Sequence, residues 1–362
     1  MDSAKTLLVM CGSLGLGNST RLLGVIQSIR RRFRVPREAL RIVICAGGKP
    51  ALYWTANAAG VQAEVVTLEG YEFSSRQAQS PGVRWSGFLR PRSAGIHLRN
   101  SLRLRTLLRG NAIHLALIDS DYHCLPLLAA GVPIVALGQA WDVVRRYGTS
   151  RHQSLIPPRS ILIERLDLRF QRLVSRSILV PCFEPAAPDG KVAAVPLIVR
   201  EEFLAAGHPT RPITPFCVLT GGSGIGSAPL LDYAGRYALP VIGPSPEPSP
   251  AIDEEGLPFI DRAAAVIVQG GLSSISECIA RRRKMIVLPI AGHGEQLSNA
   301  VEVERLGLGL RVSELNEPPD RLLERLERRS RVAPAGPPPG TDGAEVVARR
   351  LLGTLVISIP FS

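Results

Sequence analysis

The chain has 362 residues, of which 45% are hydrophobic, and this is enough for two domains with sizeable cores. Its net charge of +12 comes almost entirely from arginine, because only four of the 43 basic residues are lysines. A basic surface attracts nucleic acid, anionic lipid or phosphorylated ligands. The sequence has no RNP-like aromatic pattern, zinc-finger spacing or helix-turn-helix, and we therefore expect no nucleic-acid partner.

The six cysteines are scattered, without the close pairs of a metal site or a disulfide scaffold. A reducing cytoplasm is the simplest location that fits this spacing. No apolar run approaches the roughly 20 residues that a helix needs to span a bilayer. We therefore predict a cytoplasmic protein, and any contact with the inner face of a membrane is expected to be peripheral.

The chain begins with the first unit of a doubly wound domain. The apolar strand from Thr6 to Met10 leads into a glycine-rich loop, and helical spacing follows from Leu22 to Ile29. The glycine spacing differs from the dinucleotide-binding fingerprint. Strands at 41–46 and 64–68, with a helix between them, continue the alternation, which predicts an α/β fold with a parallel sheet.

Seven arginines alternate with leucines and aromatic residues between Arg84 and Arg109. This mixture is typical of a helix that lies on an anionic membrane surface, where each basic group contributes about 1 kcal/mol. It is equally typical of a solvent-facing helix on an arginine-rich protein. Both interpretations stay open.

Two carboxylates and an imidazole, those of Asp119, Asp121 and His123, follow a predicted strand at 112–118. An ionised aspartate or a neutral histidine at a strand end can take a proton from an acceptor hydroxyl. Alternatively, Asp119 caps the next helix and His123 is structural. The spacing of the two aspartates also occurs in metal-dependent transferases of another fold, but acidic motifs this short arise often by chance.

A proline- and glycine-rich stretch at 181–190 and a turn near 209–215 mark a change of domain. The strand from Phe216 to Thr220 then ends in a second glycine-rich turn that contains Gly222 and Ser223. We predict a first domain at 1–208, a second at 209–343, and a terminal helix and tail at 344–362 that pack back on the first domain or meet a membrane.

The stretch at 265–300 reads AVIVQGGLSSISECIARRRKMIVLPIAGHGEQLSNA. Its first strand stops at Gly270 and Gly271, and Ser274 with Glu277 fits a capping box at the start of a helix. The remaining amides of such a helix end suit a phosphate. A well-capped helix without a ligand is the alternative.

The second strand of this stretch ends before Gly294, and a carboxylate and an amide follow at Glu295 and Gln296. Sugar hydroxyls both donate and accept hydrogen bonds, so this pair suits a polyhydroxylated ligand. The alternative is a polar loop that leads into a helix.

The segments QGGLSSISE and GHGEQLSNA resemble the donor half of inverting glycosyltransferases of the GT-B fold, such as the nucleotide-diphosphate-sugar glycosyltransferases and the lipid II-forming N-acetylglucosaminyltransferase. The resemblance implies two Rossmann-like doubly wound domains that face a cleft. It implies no metal and no cofactor other than the nucleotide sugar, which is a co-substrate.

The same resemblance assigns the donor-side residues. Ser273 and Ser274 lie at the diphosphate, Glu277 at the ribose, and Glu295 with Gln296 at the donor sugar. The whole implied donor site comprises Gly222, Ser223, Gly270, Gly271, Ser273, Ser274, Glu277, Gly294, Glu295, Gln296 and Asn299.

The first glycine-rich loop corresponds in the relatives to a loop between acceptor and donor, and its acceptor-loop residues here are Gly15, Gly17 and Asn18. Relatives often carry a histidine where this chain has Asn18, and many do so where it has Gln269. The base must therefore come from elsewhere, and we expect it among the three residues after the 112–118 strand.

We therefore expect a metal-independent, inverting glycosyltransferase that moves a sugar from a nucleotide-diphosphate sugar, with uridine as the expected base. The acceptor is unidentified, with a lipid-linked molecule and a small molecule both open. A nucleotide-sugar hydrolase or epimerase, or a non-catalytic nucleotide-sugar-binding subunit, is the alternative on the same fold.

Overall fold

A computed structural model describes residues 4–12, 16–70, 91–204, 212–220, 226–242, 257–332 and 338–357. In these residues the chain forms two parallel sheets, of seven and five strands. Three of the predicted site residues, Gly15, Gly222 and Ser223, lie outside the described residues, as do residues 84–90 of the arginine-rich stretch.

The first sheet has the strand order β3-β2-β1-β4-β5-β6-β7, and its neighbouring strands pair in parallel. Its strands are β1 (Lys5–Cys11), β2 (Leu40–Gly47), β3 (Glu64–Leu68), β4 (Leu115–Asp119), β5 (Ile134–Leu137), β6 (Ser177–Pro181) and β7 (Val192–Val195). The central strands are continuous apolar runs because helices cover both faces of the sheet.

The helices of the first domain lie in two layers. They are α1 (Leu16–Gln27), α2 (Lys49–Asn57), α3 (Pro91–Gly110), α4 (Leu125–Ala129), α5 (Ala140–Tyr147), α6 (Ser150–Leu155) and α7 (Pro158–Val174). A π-helical turn (Ser28–Arg32) extends α1, and a 3₁₀ turn (Ala59–Val61) follows α2. Side chains of α1 and α2 belong to one buried cluster, and those of α3, α4, α5 and α7 belong to the cluster on the other face.

The second sheet has the order β12-β11-β10-β8-β9, again parallel. Its strands are β8 (Thr214–Leu219), β9 (Val241–Ile242), β10 (Ala263–Val268), β11 (Lys284–Val287) and β12 (Gly309–Arg311). The remaining helices are α8 (Glu201–Leu204), α9 (Ala228–Arg236), α10 (Leu257–Arg262), α11 (Leu272–Ala280), α12 (Gly294–Arg305), α13 (Pro319–Val332) and α14 (Gly343–Thr354).

The prediction of two doubly wound α/β domains is confirmed. Two segments cross from one domain to the other. Leu197, Val199 and Phe203 are buried in the core of the second domain. The last helix, α14, returns to the first domain, where Val347 and Leu351 join the cluster that contains β1.

Candidate active site between the two domains

The candidate active site lies where the carboxyl ends of the strands in the two sheets face each other. Two contacts bring the sides together. The Ser273 hydroxyl, at the start of α11, donates a hydrogen bond to the Gly17 carbonyl at 2.8 Å. At the start of α12, a Cβ atom on Gly294 would lie only 2.5 Å from the carbonyl oxygen of Ser160, so this close approach requires glycine. The N-termini of two second-domain helices therefore face the first domain.

Arg21, on α1, binds the carboxylate of Asp119 at the end of β4. Its Nε donates to Oδ2 at 2.8 Å and its Nη2 to Oδ1 at 2.6 Å, and Nη2 also donates to Asn18 Oδ1 at 3.1 Å. Burial raises the pKa of Asp119, and the Arg21 guanidinium opposes that shift. Because Asp119 is fully buried in this pair, the structure argues against its predicted role as an acceptor-facing base. Asp119 forms a buried ion pair with Arg21 instead.

Asp121 and His123 form a hydrogen-bonded pair just beyond Asp119. The backbone N–H of His123 donates to Asp121 Oδ1 at 2.8 Å, and the ring Nδ1 lies 3.1 Å from the same oxygen. His123 Nε2 lies 3.3 Å from Asn100 Nδ2, and the His97 ring centroid is 4.6 Å from that of His123. With the proton assigned to Nδ1, Nε2 is the basic atom. Nε2 then accepts a hydrogen bond from the Asn100 amide, so both ring nitrogens are bonded within the protein, and the predicted role of this pair as the base stays a prediction.

The first predicted donor turn, at residues 269–274, differs from the predicted capping box. Helix α11 begins at Leu272, its N-cap is Gly271, and no side chain caps it. Ser274 consequently lies inside the first turn of the helix, and the capping-box prediction is wrong. Gly270 has φ +100° and packs against Gln296, so the turn needs a glycine at this position. The first backbone N–H groups of a helix have no intrahelical partner, and phosphate binding at the start of α11 stays a prediction.

Glu277 points away from this turn into an ion pair with Arg200. Arg200 Nε donates to Glu277 Oε1 at 2.8 Å, both side chains are buried, and the Arg200 guanidinium lies 4.8 Å from the centroid of the Phe203 ring. Burial raises the pKa of Glu277, and Arg200 opposes that shift. The predicted contact of Glu277 with a ribose does not fit this arrangement, because the carboxylate already binds the interdomain segment.

The second donor turn keeps two predicted residues at the cleft. His293 is the N-cap of α12 and accepts from the backbone N–H of Gln296. The Gln296 side chain is partly committed, since its Oε1 accepts from the N–H of Ile290 at 2.9 Å. Glu295 occupies the first turn of α12, and its charge acts on Arg21 and Asp119 across the cleft. Glu295 is therefore the donor-motif carboxylate that faces the first domain.

Asn299 joins the two domains. Its Oδ1 accepts from Gln139 Nε2 at 2.6 Å, and its Nδ2 donates to Gln139 Oε1 at 3.3 Å and to the Gly270 carbonyl at 3.0 Å. The residue is fully buried. The structure therefore argues against its predicted contact with the donor, because its amide is occupied by these bonds.

Comparisons with known proteins show which proteins the chain is similar to. The glycosyltransferase family 28 C-terminal domain matches residues 252–332, which contain both donor turns. Two archaeal proteins described as uncharacterized glycosyltransferases are each 35% identical to the chain, one from Methanosarcina acetivorans over 106 residues and one from Methanopyrus kandleri over 101. The matches cover 26% and 27% of this chain, and the chain spans only 27% and 29% of these relatives.

Solved structures extend the likeness to nearly the whole chain. Acinetobacter baumannii MurG has a TM-score of 0.54 at 14% identity, over 96% of this chain and 99% of its own. A UDP-glucosyltransferase from Polygonum tinctorium has a TM-score of 0.59 at 15% identity, over 99% of this chain and 100% of its own. The chain has the GT-B fold. The resemblance identified from the donor motifs is confirmed.

The GT-B cleft contains two further carboxylates that the sequence analysis missed. Glu164 and Asp167, on α7, face Glu295 across the domain boundary. Asp167 accepts from the Tyr122 hydroxyl at 3.1 Å and from Gln171 Nε2 at 2.9 Å. Helical spacing could have found them, since the polar residues of an arginine- and leucine-rich helix recur at 160, 164, 167 and 171 along one face.

Neither Arg21 nor Arg200 was predicted as a partner of the site carboxylates, because neither belongs to a motif. Among the described residues, no group of three or more histidine, cysteine, aspartate or glutamate side chains is arranged to hold a metal ion. Metal independence stays a prediction.

Proposed function

We propose that this GT-B chain transfers a sugar from a nucleotide-diphosphate sugar to an acceptor hydroxyl. One observation carries the proposal. The N-termini of α11 and α12, which lie within the region matched by the family 28 domain, both face the first domain. A diphosphate fits the N-terminus of α11, where backbone N–H groups, the helix dipole and the Ser273 hydroxyl all favour an anion. The sugar fits Glu295 and the Gln296 amide group at α12.

The Ser273 hydroxyl already donates a hydrogen bond to the Gly17 carbonyl. Donor binding therefore requires a small opening of the cleft that breaks this bond. The diphosphate replaces this neutral acceptor with a charged one, and charge-assisted hydrogen bonds are about twice as strong. Arg21 stands across the cleft from Glu295. In the proposed complex, helix-end amides stabilise the negative charge that develops on the leaving diphosphate.

The finer assignments follow the relatives. One similar structure was determined in complex with UDP, and another relative is named a UDP-glucosyltransferase. We therefore propose a uridine donor. Direct attack of the acceptor oxygen on the anomeric carbon inverts its configuration, and the amides at α11 supply the charge stabilisation that a metal supplies in other transferases.

Nucleotide release from a panel of UDP-sugars, with simple alcohols as acceptors, tests the proposal. Replacement of the carboxylate in Glu295→Gln should lower kcat/KM for the sugar nucleotide about 10- to 100-fold, the cost of losing a charged hydrogen bond. Glu304→Gln, on the same helix, is the matched control and should keep wild-type activity.

The products separate the alternatives. Transfer requires an acceptor-dependent product of inverted configuration, which proton NMR identifies. Nucleotide release at a rate that does not depend on the acceptor indicates a hydrolase, and formation of a new sugar nucleotide indicates an epimerase. Tight UDP binding without turnover of any donor indicates a binding subunit, and each of these outcomes contradicts transfer.

We also propose that the surface of α3 and α4 contacts an anionic membrane. Leu98 and Leu102 on α3 and Leu125 on α4 are each more than half exposed, and the arginines of α3 flank them. Part of the basic charge is neutralised, since Arg99 and Arg103 pair with Glu69. None of the helices among the described residues has the length and hydrophobicity that a membrane-spanning segment needs.

Sedimentation with vesicles tests this surface. Vesicles that contain phosphatidylglycerol should pellet the protein in a salt-sensitive way, and vesicles of phosphatidylcholine alone should not. The double variant Leu98→Ser/Leu102→Ser should lose binding, whereas Leu231→Ser, at a half-exposed leucine of the second domain, should keep it. Equal sedimentation of the two variants contradicts the proposal.

A further inference from the structure

The face of α7 that borders the cleft carries four polar residues, each about one helical turn after the last. Ser160 touches the start of α12, Glu164 and Asp167 follow, and Gln171 binds Asp167 one turn further on. Ser160 and Gln171 are each only 4% exposed, yet Ser160 Oγ and Gln171 Oε1 have no hydrogen-bond partner among the described residues. Buried polar atoms are normally paired. The carboxylate stripe therefore contains two buried hydrogen-bonding atoms, one at each end, that no described residue satisfies.

The two carboxylates of this stripe differ in their partners. Asp167 is held by the Tyr122 hydroxyl and by the Gln171 amide group. Glu164 packs against the predicted donor-sugar turn, where a Cβ atom on Gly294 would lie 3.4 Å from Glu164 Cγ, and its carboxylate is close to the backbone of Glu295. Glu164 therefore lies directly beside the proposed donor sugar, on the wall contributed by the first domain.

The charges that face Glu164 all have the same sign. Glu295 lies opposite on α12 and Asp167 lies one turn away on its own helix, while the neutral Tyr122 phenol follows β4. Burial, and then the repulsion from these two carboxylates, raises the pKa of Glu164 to about 8. A carboxylate in such surroundings binds a proton more strongly than an ordinary glutamate does.

We propose that Glu164 is the general base that accepts the proton of the acceptor hydroxyl. This proposal rests on the proposed glycosyl transfer. The acceptor oxygen bonds to the anomeric carbon while its proton passes to the Glu164 carboxylate. The bond from that carbon to the diphosphate oxygen breaks, and its electron pair leaves with the nucleoside diphosphate. Glu164 then releases the proton to water.

The other carboxylates and the histidine fit this step less well. Asp119 is fully buried in its pair with Arg21. The ring of His123 lies between Asp121 and Asn100, on the α3 side of the site. The electrostatic contacts of Glu295 run instead to Glu164, Asp167, Asp119 and Arg21. Glu164 is the carboxylate that combines nearness to the donor turn with the absence of an arginine partner among the described residues.

The test uses the full chain and a UDP-sugar that the wild type turns over. Glu164→Gln should lower kcat by 10²- to 10⁴-fold, the usual contribution of a general base, while the dissociation constant for UDP changes less than about twofold. Sodium azide should restore turnover in this variant and yield the inverted glycosyl azide, because azide attacks without losing a proton. The wild-type kcat/KM should rise with pH up to about 8, and the variant should lack this rise.

Two matched variants define the other outcomes. Asp167→Asn and His123→Gln should each reduce kcat less than tenfold and gain nothing from azide. If Glu164→Gln keeps the wild-type kcat, or if azide rescues His123→Gln instead, the assignment of Glu164 is wrong while glycosyl transfer stands. If the wild type releases no nucleotide from any donor, the proposed function fails and the base assignment fails with it.

Discussion

Two kinds of carboxylate lie near the cleft, and they differ in whether an arginine accompanies them. Asp119 and Glu277 were both expected to face a ligand, and each is buried against an arginine. Glu164 instead lies opposite Glu295 and one turn from Asp167, and both of these charged neighbours are carboxylates. An arginine partner satisfies a carboxylate and fixes the fold, whereas a carboxylate among like charges keeps its affinity for protons. A strand-end position alone therefore does not identify a catalytic group.

The largest expected effect comes from breaking an arginine pair. Arg200→Met leaves Glu277 buried without its cation, which should lower the free energy of unfolding by about 3–5 kcal/mol. The double variant Arg200→Met/Glu277→Met should recover most of this loss, because no buried charge remains. Urea unfolding at neutral pH measures both.

The control for this prediction is Arg31→Met, which breaks an ion pair with Glu201 in which both side chains are about half exposed. An exposed pair contributes about 0–1 kcal/mol. If Arg31→Met and Arg200→Met destabilise the protein equally, the Arg200–Glu277 pair is not the structural element described here.

The interdomain amide pair should have the next largest effect. Asn299→Ala leaves the Gln139 amide and the Gly270 carbonyl buried without a partner, and the expected loss of stability is about 1–3 kcal/mol. Asn316→Ala, at an exposed asparagine, is the control and should change little.

A double-mutant cycle with Gln139→Ala decides whether the two residues act together. Their effects on the free energy of unfolding should be clearly non-additive, because each removes the same pair of hydrogen bonds. Additive losses, accompanied by weaker UDP binding for Asn299→Ala alone, would favour the original donor-binding prediction for this residue.

The fold was predictable because its signals are local. Strands buried on both faces, such as Val9 in β1 and Ile267 in β10, form continuous apolar runs that stop at glycine turns. The glycine turns at Gly270 and Gly294 were predictable for the same reason. The one local error, the capping box at Ser274, arose because the helix begins three residues earlier than the serine pattern suggested, after extended backbone at Gly271.

The partners of the carboxylates were not predictable, because they depend on contacts between distant residues. Arg21 and Asp119 are 98 positions apart, and Arg200 and Glu277 are 77 apart. No local spacing reveals such pairs, and a single arginine in an arginine-rich chain carries no signal of its own. Glu164 was missed for a related reason: its neighbour Glu295 comes from the other domain, and only the packing of α12 on α7 brings them together.

The smallest expected effect is a change in how the stability of the folded protein depends on pH. Measuring it tests Glu164 without an activity assay. The ordinary pKa of a glutamate is 4.5, and that of Glu164 is raised to about 8. Between these values the folded protein binds the proton more strongly than the unfolded chain, so Glu164 lowers the stability of the wild type as pH rises. Glu164→Gln removes this dependence. Its melting temperature relative to the wild type should therefore increase from pH 5 to pH 9, whereas the exposed control Glu324→Gln should show no such trend. A difference that stays constant across this range would mean that Glu164 titrates as an ordinary surface carboxylate, and the contrast between paired and unpaired carboxylates would lose its clearest member.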